Sequence, residues 1–112
     1  MKNRLTRIND EIKKELSLLL RGSLKDPRLN AMASCTRSEV TADLKYCKAY
    51  ISIFGDDDVK TSCMQAIESS KGYIRSSIAQ SLNLRQTPEF KFILDDSLEH
   101  SERISKILKE TR

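Results

Sequence analysis

The chain has few of the residues on which most catalytic and phosphate-binding motifs depend. Its 112 residues include one histidine, three glycines and no tryptophan. Glycine-rich phosphate loops are therefore excluded, and the patterns GxxxxGK[ST], GxGxxG, HExxH and GxSxG are absent. The one histidine, His100, lies in a polar stretch, and we interpret it as a solvated side chain and not as a catalytic base. The sequence predicts a protein that is not an enzyme and that holds no cofactor.

The sequence also lacks paired cysteines and long apolar runs. Cys35, Cys47 and Cys63 are odd in number and form no CxxC pair, which argues against a disulfide framework and against a metal site. We interpret them as buried, reduced thiols of an intracellular protein. No run of about 18 apolar residues predicts a membrane helix, and no apolar core of a secretory signal follows the basic first residues. We expect a cytoplasmic protein.

Positive charge is concentrated near the amino terminus. The chain has 20 Lys and Arg residues against 16 Asp and Glu, a net charge of +4. Residues 1–29 alone hold eight basic and four acidic residues, whereas residues 86–112 hold five and six. Such asymmetry favours a polyanionic partner at the amino-terminal element, although a small positive charge is common among small proteins.

The first element is predicted to be an amphipathic helix over residues 3–22, with Gly22 as its carboxy-terminal cap. Its basic residues Arg7, Lys14 and Arg21 recur every seven positions on the side opposite an apolar stripe. That stripe consists of Leu5, Ile8, Ile12, Leu16, Leu19 and Leu20.

Residues 31–54 are predicted to form an antiparallel hairpin, because apolar residues alternate from Cys47 to Ile53. Tyr46, Lys48 and Tyr50 fall on the other face of that second strand. An aromatic stacking surface there is one alternative, and ordinary packing is the commoner one.

The second half is predicted to contain a helix from Val59 to about Leu84, interrupted at residues 69–72. An aspartate of residues 56–58 would cap its start, a third strand would follow Pro88, and a last helix would follow residues 95–97. The order α-β-β-α-kink-α-β-α predicts one α+β domain over residues 1–112, with helices on one face of a small three-stranded sheet.

Three clusters place an arginine beside a residue that constrains the backbone. They are Lys25-Asp26-Pro27-Arg28, Gly72-Tyr73-Ile74-Arg75, and Leu84-Arg85 followed by Pro88-Glu89-Phe90. The two prolines fix φ, and Gly72 would allow two segments to approach closely. Arginines at rigid corners suit phosphate binding, and they suit the ends of helices equally well.

The interrupted helix pair resembles the core of a KH module, in which a GxxG loop clamps the nucleic-acid backbone. No two glycines here are three apart, so Ser70-Lys71-Gly72 stands where that loop would be. No RNP1-like aromatic motif is present, so base stacking in the manner of an RRM is not supported.

Taken together in this order, the clusters resemble those of the ribosome-binding factor A family. The resemblance runs from the basic first helix through the three clusters and Asp43-Leu44 to Asp95-Asp96-Ser97. It implies a type II KH-like fold in which an alanine-x-glycine kink replaces GxxG, with Ser70 here in place of the alanine. Many members also carry a polar tail, and this sequence ends at Arg112.

The resemblance implies binding to the 30S ribosomal subunit and its 16S rRNA precursor, with support for RNA processing and for growth in the cold. We expect phosphate contacts from one set of basic residues, namely Arg4, Arg7, Lys14, Arg21, Lys25, Arg28, Lys71, Arg75 and Arg85. The alternative is a protein-interaction module that binds a ribosomal protein or another assembly factor. A small nucleic-acid enzyme is disfavoured because no nucleophile–base pair is recognisable. We expect a monomer, because no second apolar face is apparent.

Overall fold

The structure, a computed structural model, describes residues 4–23 and 33–95. Within them the elements are α1 (Arg4–Leu18), β1 (Ala33–Val40), β2 (Tyr46–Ile53), α2 (Asp57–Ser69), α3 (Lys71–Leu82) and β3 (Glu89–Leu94). The sheet order is β1-β2-β3, with β1 antiparallel and β3 parallel to β2. The predicted α+β class and the hairpin are confirmed. The predicted last helix lies outside the described residues.

Helix α1 buries the predicted stripe. Ile12 and Leu16 are completely buried, and Leu5 is half-buried. The helix does not end at Gly22, because a π-helical turn continues it over Leu19–Ser23 and buries Leu19 and Leu20. The expectation that Gly22 caps the helix is therefore wrong: Gly22 lies inside the last turn.

The hairpin contains a bulge that the sequence pattern did not indicate. Cys35 pairs with Ile51 and Arg37 pairs with Tyr50, so Thr36 is the extra residue on β1. The bulge reverses the alternation, which turns Arg37 outward and buries Ser38. In the turn, Leu44 adopts a left-handed conformation with φ of 61°. The carboxylate of Asp43 accepts hydrogen bonds from the Thr41 hydroxyl and the Lys45 N–H.

The predicted interruption of the second helix lies at Ser70. Its N–H bonds to carbonyls of the last turn of α2, and its carbonyl accepts from the N–H of Ile74 in α3. Asp56 caps α2 as expected, accepting from the Val59 N–H over 2.9 Å. Gly72, however, lies within α3, and a methyl group at that position would meet nothing within 4 Å. The idea that Gly72 permits a close approach of two segments is therefore wrong.

The core lies between the sheet and the helices, on one face of the sheet as predicted. Ile51 of β2 and Ile74 and Ile78 of α3 are fully buried, and Phe90 and Phe92 of β3 are nearly so. Fully burying one such side chain stabilises the fold by about 1.5–3 kcal/mol. Leu94, which alternates with the two phenylalanines in β3, remains 37% exposed. Across residues 4–23 and 33–95, no helix combines the length and hydropathy needed to cross a bilayer.

Helix α1 also covers the free edge of β1. Asn9 accepts the Val40 N–H on its side-chain oxygen over 2.8 Å, and its carbonyl accepts the Ser38 hydroxyl over 2.7 Å. The Ser17 hydroxyl oxygen accepts the Cys35 N–H over 3.0 Å. These bonds fix α1 along the strand, and the face that α1 turns away from the sheet is thereby held in one orientation.

Candidate nucleic-acid interface

The first group of predicted binding residues lies on the outward side of α1 and of the π-helical turn that continues it. Arg4, Arg7, Lys14 and Arg21 are all exposed. At a rise of about 1.5 Å per residue, Arg7 and Lys14 are separated by roughly 10 Å along the helix axis. Long basic side chains at this spacing can reach separate phosphates of a folded RNA.

A shallow depression lies beside this row of cations. It has a volume of about 390 Å³ and is lined by Asp10, Lys13, Lys14 and Ser17. Lys13 is exposed and was not among the residues predicted to bind. Lys13 precedes Lys14 directly and so lies outside the seven-residue spacing that pointed to Arg7, Lys14 and Arg21.

Lys71 lies at the break between α2 and α3. Its ammonium nitrogen is 3.1 Å from a carboxylate oxygen of Glu68 and 5.8 Å from the centre of the Phe92 ring. Both partners of this ion pair are partly exposed, so the pair stabilises the fold by little. A phosphate can therefore compete for Lys71 at small cost.

Arg75 has a structural contact as well as an exposed position. Its Nη2 donates to the backbone carbonyl of Thr87 over 2.9 Å and so joins α3 to the loop before β3. Arg85 lies in that loop and is exposed. The loop begins at Asn83, which ends α3 in a left-handed conformation with φ of 51°.

The predicted residues therefore fall into two groups, one on α1 and one at the break and the loop around α3. Helices α1 and α3 pack against each other through the core. Lys25 and Arg28 lie outside the described residues, and so does His100.

Two of the three described thiols, those of Cys35 and Cys47, are poor nucleophiles. Burial raises the pKa of Cys35 to about 11 and that of Cys47 to about 12. Both are therefore protonated at neutral pH, whereas a reactive cysteine needs a lowered pKa. The part of the chain that the structure describes also contains no cluster of three His, Cys, Asp or Glu residues able to hold a metal ion.

Comparison with known sequences shows the family of the chain. The model of the family described as ribosome-binding factor A matches residues 4–108. A ribosome-binding factor A from Lachnospira eligens is 49% identical over 105 residues, which are 94% of this chain and 81% of that protein. One from Clostridium novyi is 48% identical over 109 residues, covering 97% of this chain and 90% of that protein.

Solved structures share the fold. The crystal structure of ribosome-binding factor A from Thermus thermophilus matches 82% of this chain and 97% of its own, with a TM-score of 0.71 and 16% identity. A homology model of the Thermus thermophilus protein was fitted into a cryo-EM map of its 30S complex. It matches 79% of this chain and 91% of its own, with a TM-score of 0.66 and 17% identity.

Proposed function

Because the chain belongs to the ribosome-binding factor A family, we propose that it binds the 30S ribosomal subunit and its 16S rRNA precursor. It would assist late maturation of the subunit and processing of the RNA. The proposal rests on the family match over residues 4–108. The 30S complex of the Thermus thermophilus relative identifies the partner that we transfer to this chain. The protein would act in the cytoplasm as a single domain over residues 1–112, without catalysing a reaction, and would support growth in the cold.

Phosphate recognition is the proposed mode of binding. The outward cations of α1 and those around α3 would contact the backbone of folded RNA helices and hold them in a shape that permits maturation. Folded RNA is recognised largely through its shape and its phosphates, which suits exposed lysines and arginines better than a base-reading pocket. The set we assign is the predicted one, namely Arg4, Arg7, Lys14, Arg21, Lys25, Arg28, Lys71, Arg75 and Arg85.

The order of the elements supports binding of the phosphate backbone in the manner of a KH module. Two hairpin strands precede a helix pair that breaks at one residue, and the next strand then returns parallel to β2. Ser70 and Lys71 take the place of a glycine clamp, so a lysine side chain would meet the backbone where a KH module offers glycine N–H groups.

Sedimentation with purified 30S, 50S and 70S particles tests the proposal. We expect the protein to migrate with 30S particles alone and to dissociate as the salt concentration rises, because each phosphate contact releases condensed counterions. The combined change Arg7→Glu, Lys14→Glu and Arg21→Glu should abolish co-migration.

Lys45→Glu is the control for α1, since Lys45 is an exposed lysine in the hairpin turn and the substitution alters the charge as much as Arg7→Glu does. We expect Arg7→Glu to weaken binding and Lys45→Glu to leave it nearly unchanged. If binding survives both high salt and the triple reversal, the chain would be a protein-interaction module and the phosphate mode would be wrong.

A further inference from the structure

The outer face of the sheet, opposite the helices, carries a further group of cations together with an exposed ring. No described helix packs against this face, and Tyr46 is 57% exposed there. Across the three strands lie, in register, Glu39, Lys48 and Lys91 in one row and Arg37, Tyr50 and Ile93 in the next. This outer face and α1 lie on opposite sides of the sheet.

Three cations and two carboxylates lie on the strands of this face, so one positive charge is left over within the strands. The carboxylates are Glu39 and Glu89, and Glu89 is the partner of Tyr46 across β2 and β3. Lys48 and Lys91 are direct partners on parallel strands, and like charges in that position disfavour folding. Glu39 lies on the other side of Lys48, but its carboxylate is 3.1 Å from the Arg37 guanidinium. Among the described residues no ion pair joins a carboxylate to Lys48 or Lys91. A bound anion would relieve this repulsion.

The two tyrosines of the face differ in what their rings contact. The Arg37 guanidinium lies 4.2 Å from the centre of the Tyr50 ring, so one side of that ring is covered. The Tyr46 ring has no such partner among the described residues, and it precedes Lys48 by two residues on the same face of β2. A strand advances about 3.3 Å per residue, so the Cα atoms of Tyr46 and Lys48 lie roughly 7 Å apart.

An exposed ring beside paired cations has the chemistry that binds single-stranded nucleic acid. Bases stack on aromatic rings while basic side chains follow the phosphates. Ile93 is the one aliphatic side chain in the two rows, and the core of a protein interface needs a larger apolar cluster. We propose that the outer face of the sheet binds single-stranded RNA, with a base stacked on Tyr46 and a phosphate at Lys48 and Lys91.

This surface goes beyond the proposed function, because it would act separately from the phosphate contacts of α1. The protein would then hold duplex RNA on one side and an unpaired segment on the other. The bulge at Thr36 turns Arg37 outward onto Tyr50, and Arg37 does not cover the ring of Tyr46.

The test uses a fluorescein-labelled oligouridylate of about eight nucleotides, within the range that small domains bind, and a labelled RNA hairpin for comparison. Fluorescence anisotropy gives the affinity of the full chain for each. We expect Tyr46→Ala to weaken oligouridylate binding roughly tenfold, and Tyr46→Phe to stay within about twofold because the ring is kept. Tyr73→Ala is the matched control, since Tyr73 is 54% exposed on α3.

The double variant Lys48→Gln with Lys91→Gln tests the proposed phosphate contacts. The slope of log affinity against log salt should fall by about 0.7 for each lost contact with a single strand. Affinity for the hairpin should be unchanged in these variants, whereas Arg7→Glu should weaken hairpin binding and spare the oligouridylate.

Three results would overturn the proposal. The first is that the wild-type chain fails to bind the oligouridylate. The second is that Tyr46→Ala and Tyr73→Ala behave alike. The third is that Tyr46→Ala weakens 30S binding without altering oligouridylate binding, which would assign the face to a ribosomal protein. Failure of the proposed function is distinguishable, because it appears as loss of 30S co-migration with Tyr46-dependent oligouridylate binding intact.

Discussion

Arg75 Nη2 donates a hydrogen bond to the backbone carbonyl of Thr87 over 2.9 Å, and this bond links two of the clusters that stand apart in the sequence. One cluster lies in α3. The other includes Arg85 and spans the loop between α3 and β3. Arg75 therefore holds the loop in place and also presents part of its guanidinium to solvent. A structural role and a binding role in one side chain can be separated by measurement.

Arg75→Ala should lower the free energy of unfolding by about 0.5–1 kcal/mol, because an exposed hydrogen bond from a charged donor is lost. Arg85→Ala is the control: it removes the same charge nearby and should change stability by less than about 0.5 kcal/mol. Urea unfolding measures both, and 30S co-sedimentation shows whether both weaken binding. Equal stability of the two variants would mean that the Thr87 bond contributes nothing.

Two glycines should respond in opposite directions to alanine. Gly55 has φ of +154°, and a Cβ there would lie 2.6 Å from Cγ1 of Val59, so Gly55→Ala should destabilise the fold by more than about 1 kcal/mol. Gly72 is in open space inside α3, so Gly72→Ala should stabilise it by about 0.5–1 kcal/mol. Thermal unfolding of both variants checks this pair. A Gly72→Ala protein that is less stable than wild type would show that α3 needs the glycine.

Ser17→Ala should destabilise the protein, although alanine is the better helix former. The change leaves the Cys35 N–H without its acceptor at the edge of β1, which costs roughly 1 kcal/mol. Ser77 is also half-buried in a helix, and the structure gives its side chain no bond to another described element. Ser77→Ala therefore measures the propensity gain alone. Equal unfolding midpoints in denaturant for the two variants would contradict the importance of the Ser17 bond.

Stability should fall as the pH rises above about 9. In the folded chain the pKa of Cys35 is raised to about 11 and that of Cys47 to about 12, whereas the unfolded thiols ionise near 9. Between these values the unfolded state binds fewer protons, so alkaline pH favours unfolding, by about 1 kcal/mol for each cysteine at pH 10.

The double variant Cys35→Ala with Cys47→Ala should show a shallower loss of stability between pH 8 and pH 11 than the wild-type chain. Denaturant unfolding at each pH gives the comparison, and taking the difference between the two proteins removes the effect of lysine and tyrosine ionisation common to both. Parallel curves for the two proteins would mean that neither buried thiol is shifted.

The elements were predictable because their burial repeats with a simple period. The apolar stripe from Leu5 to Leu20 and the alternation from Cys47 to Ile53 each reflect one buried face. The break at Ser70 was predictable from local chemistry, since serines and a glycine occur together there.

Other features depend on pairings that no local pattern encodes. The bulge at Thr36 shifts the period within a single strand, and the parallel pairing of β3 with β2 joins segments about 40 residues apart. Lys60 is only 6% exposed, although a lysine in a helix is usually predicted to lie at the surface. The same holds for the candidate site. Its basic residues could be identified from the sequence, but the hydrogen bond from Arg75 to Thr87 could not.

The way in which α1 covers β1 has a consequence for how the protein meets other molecules. A sheet with an open edge can be extended by a strand from another chain, which is a common route to aggregation and to peptide binding. Here the outward N–H groups of Cys35 and Val40 are already engaged by Ser17 and Asn9. A strand added at this edge would have to displace both bonds, so α1 opposes the lengthening of the sheet past β1 by a second copy of the chain.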